Sequence, residues 1–565
     1  MQLLTTLTTC LLASSAVART TKHVRKANPL PENPRIKARQ AIADLPTAPG
    51  YGGSSYNTTI IPQTNATMKY AVNGSAIPDV DFDVGESYAG LMPISNQANT
   101  SELYFWFFPS ENPMAGDEIL IWLNGGPECS SLEGLLQENG PFLWQYGTYK
   151  PVKNPYTWVN LTNVVWVEQP AGTGFSQQNG VPPATNEIEV AAQFLGFWKN
   201  FVDTFGLQNK KVYITGESYA GYYVPYIADA MHNASDTCYY DVRSILFYDP
   251  STSYGVVQDD IPSVPFVDYW SSLFSLNQTF MDDIHTRADA CGYTSFIETA
   301  MQFPPNGTLP TPPNVNHDMP GCSIYNDIQN AALLVNPCWD VYQVATTCPL
   351  LWDVLGFPGS IPYLPDGATI YFNRSDVQAA INAPMGEWEE CSGGVLDTDT
   401  SPPSGLSVLP RVIEKNEKTI IGHGMLDMIL IMNGTIMMIQ NMTWNGAQGF
   451  STPPSTWNNF YVPYHEELSL SSLAGSGDFG IWHEERGLTF CTIDLAGHMI
   501  PQYAPAAAYR QVEYLLGRID NLGEKSDFTT QSGDFGNNFT FVTANVSNSS
   551  PVSSSNSSMK FLPAM

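Results

Sequence analysis

Positive charge is scarce in this chain. Its 565 residues hold 24 Lys and Arg against 54 Asp and Glu, a formal net charge of −30 at pH 7. Nucleic-acid binding depends on clustered cations that neutralise phosphates, so this composition excludes that class of partner. Charge of either sign is sparse too, at 14%, while hydrophobic residues reach 43% and aromatics 12%. The charge-rich, apolar-poor signature of disorder is therefore missing, and most of the chain has the material for a substantial core. Beyond the N-terminus no apolar run is long enough to cross a bilayer, and no internal repeat is evident. An acid-rich chain with 28 Tyr and 13 Trp suits work outside the cell or at low pH, where fewer carboxylates stay ionised.

What is present begins with a targeting pattern. Residues 1–18 run through Gln2-Leu3-Leu4 and Cys10-Leu11-Leu12 to Ala16-Val17-Ala18, an apolar stretch closing in an A-x-A cleavage site. It reads as a secretory signal, being shorter than the roughly 20 apolar residues a membrane anchor needs. Residues 19–45 carry Arg19, Lys22, Arg25, Lys26, Arg35, Lys37 and Arg39 and read as a pro-segment or flexible arm. A chain starting near Ala41 loses those seven basic residues and one acid, Glu32, leaving 17 basic and 53 acidic residues and a net charge of −36. Fifteen N-x-[ST] sequons, from Asn57 to Asn556, point to a secreted glycoprotein, with a vacuolar destination as the alternative. Of nine cysteines, Cys10 leaves with the signal; the remaining eight allow up to four disulfides and 105 connectivities.

Short β-branched or aromatic runs followed by turn chemistry predict strands at Leu103–Phe108, Ile119–Leu123, Val164–Val167, Lys211–Thr215, Ile245–Tyr248, Thr419–Ile421 and Thr489–Ile493. Between them, Ile188, Ala191, Ala192, Leu195, Trp198 and Val202 fall at helical spacing and predict a helix over Glu187–Phe205. Strands alternating with helices imply an α/β fold with a central, mostly parallel sheet covered on both faces. The rhythm breaks from about Ser251 to Phe372, where prolines cluster and Cys291, Cys322, Cys338 and Cys348 fall. The expected organisation is a core in two parts, 46–250 and 376–522, interrupted by a cap at 251–375 and followed by a Ser/Asn/Thr-rich flexible tail at 523–565. An independent second domain is the alternative for the middle segment.

Three local patterns carry chemistry. Lys211 to Gly221 runs from a strand through Gly216-Glu217-Ser218-Tyr219-Ala220-Gly221 into a helical pattern. Small residues around a serine allow the tight turn of a nucleophile elbow, which exposes the Ser oxygen and frees the next N–H for an oxyanion. Upstream, Trp122-Leu123-Asn124-Gly125-Gly126-Pro127 ends a strand in a glycine pair. That pair is either a plain turn or the place where backbone approaches a ligand closely. Downstream, Gly422-His423-Gly424-Met425-Leu426-Asp427 and Ala496-Gly497-His498-Met499 each follow a strand. They supply an acid and then a histidine in the chain order Ser, Asp, His expected of an α/β-hydrolase. His423 is a second histidine in that position and reads as a loop-lining residue.

Taken together, from roughly Tyr88 to Gly517, these motifs with Cys129-Ser130-Ser131 resemble the serine carboxypeptidases, most closely their fungal secreted or vacuolar members. The resemblance implies Ser218 as nucleophile, His498 as general base and then acid, and Asp427 orienting His498. It implies an oxyanion hole from the N–H groups of Gly126 and Tyr219. It also implies that Asn124, Gly125, Glu138 and Glu217 capture the substrate's terminal carboxylate, that Cys129 pairs with Cys391, and that no metal or cofactor takes part. The expected substrates are peptides or proteins with a free C-terminus. A carboxylate cannot settle beside two ionised glutamates, so Glu138 and Glu217 must share extra protons, which favours peptide binding at acidic pH. An esterase or acyltransferase on the same scaffold is the second reading, and a non-catalytic binding protein the third. Two departures stand out: Glu128 replaces the family's usual Gly before the cysteine, and Met428-Ile429-Leu430-Ile431 keeps the family's hydrophobicity but not its residues.

Overall fold

The computed structural model describes residues 60–180, 182–356, 364, 367–464 and 475–531. The expected signal, pro-segment and most of the expected tail lie outside the described residues, as do the sequons at Asn57, Asn538, Asn545, Asn548 and Asn556.

Eleven strands form one sheet: β1 (Ala71–Val72), β2 (Ser87–Pro93), β3 (Glu102–Phe108), β4 (Glu118–Leu123), β5 (Val164–Glu168), β6 (Lys211–Glu217), β7 (Asp241–Tyr248), β8 (Lys418–Gly424), β9 (Asn458–Val462), β10 (Gly477–Glu485) and β11 (Leu488–Ile493). Their spatial order is β1-β2-β3-β5-β4-β6-β7-β8-β11-β10-β9. The six central strands from β5 to β11 pair in parallel, and the outer strands on both flanks are antiparallel. All seven predicted strands are present. β4 and β5 are buried along their whole length, as a parallel strand covered on both faces must be. Because the central strands run in one direction, the residues after β4, β6, β7, β8 and β11 emerge at the same edge, where ligand sites of open α/β sheets form.

Helix α1 (Glu187–Phe205) has the predicted bounds. Asn186 caps its start by accepting the Glu189 N–H, and Gly206 ends it at φ 69°, a left-handed conformation that costs glycine little. Its inward stripe is Val190, Phe194, Phe197, Trp198, Phe201, Val202 and Phe205. Phe201 and Phe205 meet Phe105 of β3 edge-on, with centroids 5.2 and 5.7 Å apart. Burying an aromatic ring at such a place contributes about 3–5 kcal/mol. Ile188, expected on this stripe, is instead 72% exposed and Ala192 is exposed with it, because the buried face runs through Glu187, Val190, Ala191 and Phe194, to one side of them.

Residues 249–417 are inserted between β7 and β8, which are neighbours in the sheet. The insertion carries helices Asp260–Tyr269, Gln278–Ala290, Tyr293–Ala300 and Ile324–Val335 with a hydrophobic cluster of their own. That cluster also takes in Leu426, Met428 and Ile431, which accounts for the hydrophobic run after Asp427. Disulfides Cys291–Cys322 and Cys338–Cys348 staple the insertion, and Cys129–Cys391 joins the loop after β4 to it. Four bridges were possible; the structure has three, with buried Cys491 and half-buried Cys238 unpaired. Residues 523–531, expected in the flexible tail, pack onto helix α3 (Pro505–Leu515): Phe528 is buried and Glu513 accepts the Thr529 N–H. No helix among the described residues is long and apolar enough to cross a membrane.

Candidate active site

Ser218 sits between the last residue of β6 and helix α2 (Ala220–Ala234), at φ 61°. A non-glycine residue held there is strained, and the surroundings fix it. The Ser218 N–H donates to Tyr248 O at 2.9 Å, and its carbonyl accepts the Ser251 N–H at 2.9 Å. The small residues of the motif are sterically required. A Cβ on Gly216 would lie 2.3 Å from Leu123 O, and one on Gly221 would lie 2.4 Å from Ser251 O. This is the strand-turn-helix elbow predicted from the sequence.

The loop after β4 packs against it. A Cβ on Gly125 would fall 2.4 Å from Tyr219 N and 2.7 Å from Ser218 Cβ, so only glycine permits this approach. Gly126 adopts φ 108°. Among the described residues neither the Gly126 nor the Tyr219 N–H donates to a protein acceptor. Glu128 takes the left-handed conformation, φ 64°, that suits the glycine it replaces. Its carboxylate offsets the strain by accepting the Val395 and Leu396 N–H groups at 3.0 and 3.2 Å, which turns it toward the insertion. Beneath the loop, buried Glu168 accepts from Ser130 Oγ, from Phe175 N at 2.6 Å and from Trp388 Nε1 at 3.2 Å.

Asp427 and His498 come together as expected. His498 Nδ1 lies 2.9 Å from Asp427 Oδ2 in a fully buried pair. The Ile429 N–H holds Asp427 Oδ1 at 2.8 Å, and the His498 N–H donates to Tyr342 O at 2.8 Å, tying the histidine loop to the insertion. Burial opposes charge on His498, but the Asp427 carboxylate and its hydrogen bond outweigh burial, so the ring's pKa lies above its ordinary value. The other ring nitrogen, Nε2, is buried without a protein partner. His423 does not line an open loop: it is buried, with Nδ1 2.8 Å from Asp249 Oδ1.

Asn124, Glu138 and Glu217 form one cluster. Asn124 Oδ1 accepts from Trp122 Nε1 at 2.7 Å and from Gly134 N at 3.2 Å, which leaves its Nδ2 as the donor. That nitrogen donates to Glu217 Oε1 at 3.0 Å and to Glu133 Oε2 at 2.5 Å. Glu133 was not foreseen. Donor oxygens of Glu133, Glu138 and Glu217 all lie within 4.8 Å of one another, and all three residues are buried. Burial first, then mutual repulsion, pushes Glu138 and Glu217 well above the carboxylate range. Burial raises Glu133 to about 7. Three crowded carboxyls in an apolar setting therefore share protons near neutrality. This trio, and the trio Asp249, His423 and Asp427, have their polar atoms within a cation's reach of one another, but carboxyls that burial and mutual repulsion keep protonated do not offer the ionised ligands a cation needs.

An elbow serine, a buried Asp–His pair on later strand ends and a sheet of this order define an α/β-hydrolase. The chain belongs to the serine carboxypeptidase family, which residues 78–518 match, and it is a serine-type carboxypeptidase. It is 57% identical over 472 residues to a probable serine carboxypeptidase of Arthroderma benhamiae, covering 81% of this chain and 88% of that one. It is 47% identical over 475 residues to serine-type carboxypeptidase F of Aspergillus niger, with coverage of 81% and 88%. The crystal structure of a prohormone-processing carboxypeptidase from Saccharomyces cerevisiae shares the fold, with a TM-score of 0.61 at 22% identity over 81% of this chain and 98% of that one.

Proposed function

We propose that the chain is a secreted, glycosylated enzyme that trims peptides residue by residue from the C-terminus, working best near neutrality, where part of His498 is free base and the glutamate cluster still holds protons. Ser218 attacks the last peptide carbonyl while His498 takes its proton, with Asp427 holding the imidazole in register. The N–H groups of Gly126 and Tyr219 receive the oxyanion. Collapse of the tetrahedral intermediate breaks the C–N bond, and His498 gives its proton to the leaving amine. Water activated by His498 then releases the acyl group and restores Ser218. Neither half of this cycle calls on a metal or cofactor.

The observation that carries the reading is the carboxyl cluster beside the elbow. Asn124 Nδ2, the Gly125 backbone and the protons shared by Glu138 and Glu217 offer hydrogen-bond donors to a substrate carboxylate. A neutral ester has no such group to offer, so buried glutamates there favour a peptidase over an esterase. Glu133 extends the cluster and holds Asn124 in place until substrate arrives. Among the sequons, Asn433 is 7% exposed within helix Met432–Asn441 and is closed to glycans, whereas Asn65, Asn73, Asn99 and Asn160 are exposed.

Kinetics on one blocked dipeptide with a free C-terminus, alongside its amide and ester twins, test the proposal. The free acid is expected to be cleaved with far higher kcat/KM than the amide, and Ser218→Ala to be inert on all three. Equal rates on acid and amide would overturn carboxylate capture.

A further inference from the structure

Behind the Asp427–His498 pair lies a second buried Asp–His pair. Asp249 follows β7 and His423 lies in β8; both are 0% exposed. Asp249 Oδ1 receives the Gly424 N–H at 2.8 Å and lies 2.8 Å from His423 Nδ1, whose own hydrogen bond is to Gly424 O at 3.5 Å. Its Oδ2 is buried and has no donor facing it. Donor atoms of Asp249, His423 and Asp427 lie within 4.8 Å of one another. Asp427, by contrast, has a donor on each oxygen, from Ile429 N and His498 Nδ1. Two carboxylates this close in a dry interior cannot both be ionised, so one of them carries a proton. The oxygen free to carry it is Asp249 Oδ2.

We propose that Asp249 is a neutral carboxylic acid, braced by the Gly424 N–H and packed against His423, that donates its proton to Asp427 and so positions Asp427 for His498. The proposal rests on the assignment of Asp427 and His498 as the orienting pair. Burial, then the charge of Asp427, raises Asp249 well above the carboxylate range, and its hydrogen bond to Asp427 adds to the rise. Burial lowers His423 to about 4, which leaves its imidazole neutral beside Asp249, with Nδ1 bonded to Gly424 O. The other titratable groups facing Asp249 are His498, Glu217, Tyr248 and Cys491. Of these, His498 alone lowers the Asp249 pKa, while burial and Asp427 keep the proton on. With Asp249 neutral, the pocket behind His498 holds one negative charge, matched to the imidazolium that forms during attack. Asp249 acts through Asp427 and is a positioning residue.

Asp249→Asn keeps a donor toward Asp427 without a titrating proton, whereas Asp249→Leu removes it. Rates are normalised to folded enzyme by titrating the active serine with a fluorophosphonate. Asp249→Leu is expected to lower kcat/KM about 10- to 100-fold, the loss typical of a hydrogen bond to a charged group. It also moves the acid limb of the pH profile upward by about one pH unit, because Asp427, with one donor fewer, draws harder on the His498 proton. Asp249→Asn is expected to rescue kcat/KM to within about threefold, leaving the acid limb unmoved. Were Asp249 ionised, the same asparagine would delete a negative charge and shift that limb downward; such a shift, or a tenfold loss, overturns the proposal. Should the leucine variant fail to fold, infrared difference spectra decide. Wild type minus Asp249→Asn must show the carbonyl stretch of a protonated carboxyl, and its absence overturns the proposal. Loss of activity confined to Asp249→Asn counts against this inference alone, while activity surviving in Ser218→Ala counts against the underlying triad.

Discussion

Glu168 gives the fold a pH dependence that can be worked out from its surroundings. It sits under the glycine loop with three donors on its carboxylate, from Ser130, Phe175 and Trp388. Burial outweighs them and raises its pKa from 4.5 to about 7. A raised carboxyl stabilises the fold fully below its unfolded pKa, and that stability is lost as pH climbs through the folded value. Between pH 5 and pH 8 this one residue should cost the native state about 2 to 3 kcal/mol. Glu168→Gln has no proton to lose. Urea unfolding of both proteins across that range should therefore show the wild type losing stability toward pH 8 more steeply, by that amount. Other buried carboxyls contribute equally to both proteins and cancel. Parallel curves would refute the reasoning and return Glu168 to an ordinary pKa.

Three further outcomes follow from the site. Glu138→Gln combined with Glu217→Gln should lower kcat/KM on free-acid peptides about 10- to 100-fold while leaving ester hydrolysis within a few fold; a parallel loss on both substrates would contradict carboxylate capture. Because His498 is raised, ester and peptide hydrolysis should both fall as pH drops through its value and the base becomes protonated. Peptide hydrolysis alone should also fall as pH rises past about 7, where Glu133 begins to shed its proton; an alkaline limb common to both substrates would count against the shared-proton cluster. Gly125→Ala drives a Cβ to 2.4 Å from Tyr219 N, so the folded variant should lose at least about 100-fold in kcat, the scale of one oxyanion donor; near-normal turnover would show the loop to be dispensable.

Much of this architecture is written locally in the chain. The central strands are apolar on both faces, so they stand out as continuous runs, and α1 is bounded by a capping Asn186 and a terminating Gly206. Strands β1, β2, β9 and β10 carry no such run. β2 carries Ser87 and Gly90, and β9 opens with exposed Asn458 and Asn459 at the sheet's edge, where one solvated face blurs the pattern. The elbow, the glycine loop and the two later strand ends each carry small residues demanded by contacts under 3 Å, and so leave a signature. Asp249 leaves none, since Gly424 and Asp427 lie far away in sequence and only the parallel pairing of β7 and β8 brings them beside it, and the nearness of Glu133 to Glu217 likewise depends on β4 and β6 being neighbours. For Glu133 the hint is its place between Glu128 and Glu138, three glutamates spaced by five in a stretch without a basic residue. Glu128, where the family has Gly, turns its carboxylate to the backbone of Val395 and Leu396.

The most direct test of the account is the product ladder from a single peptide, followed by mass spectrometry over time, beside its C-terminally amidated twin and the Ser218→Ala variant. Sequential loss of single residues from the free C-terminus, strong retardation on the amide and silence in Ser218→Ala are the predicted results. Internal cleavage, equal trimming of the amide, or a ladder that persists without Ser218 would contradict it.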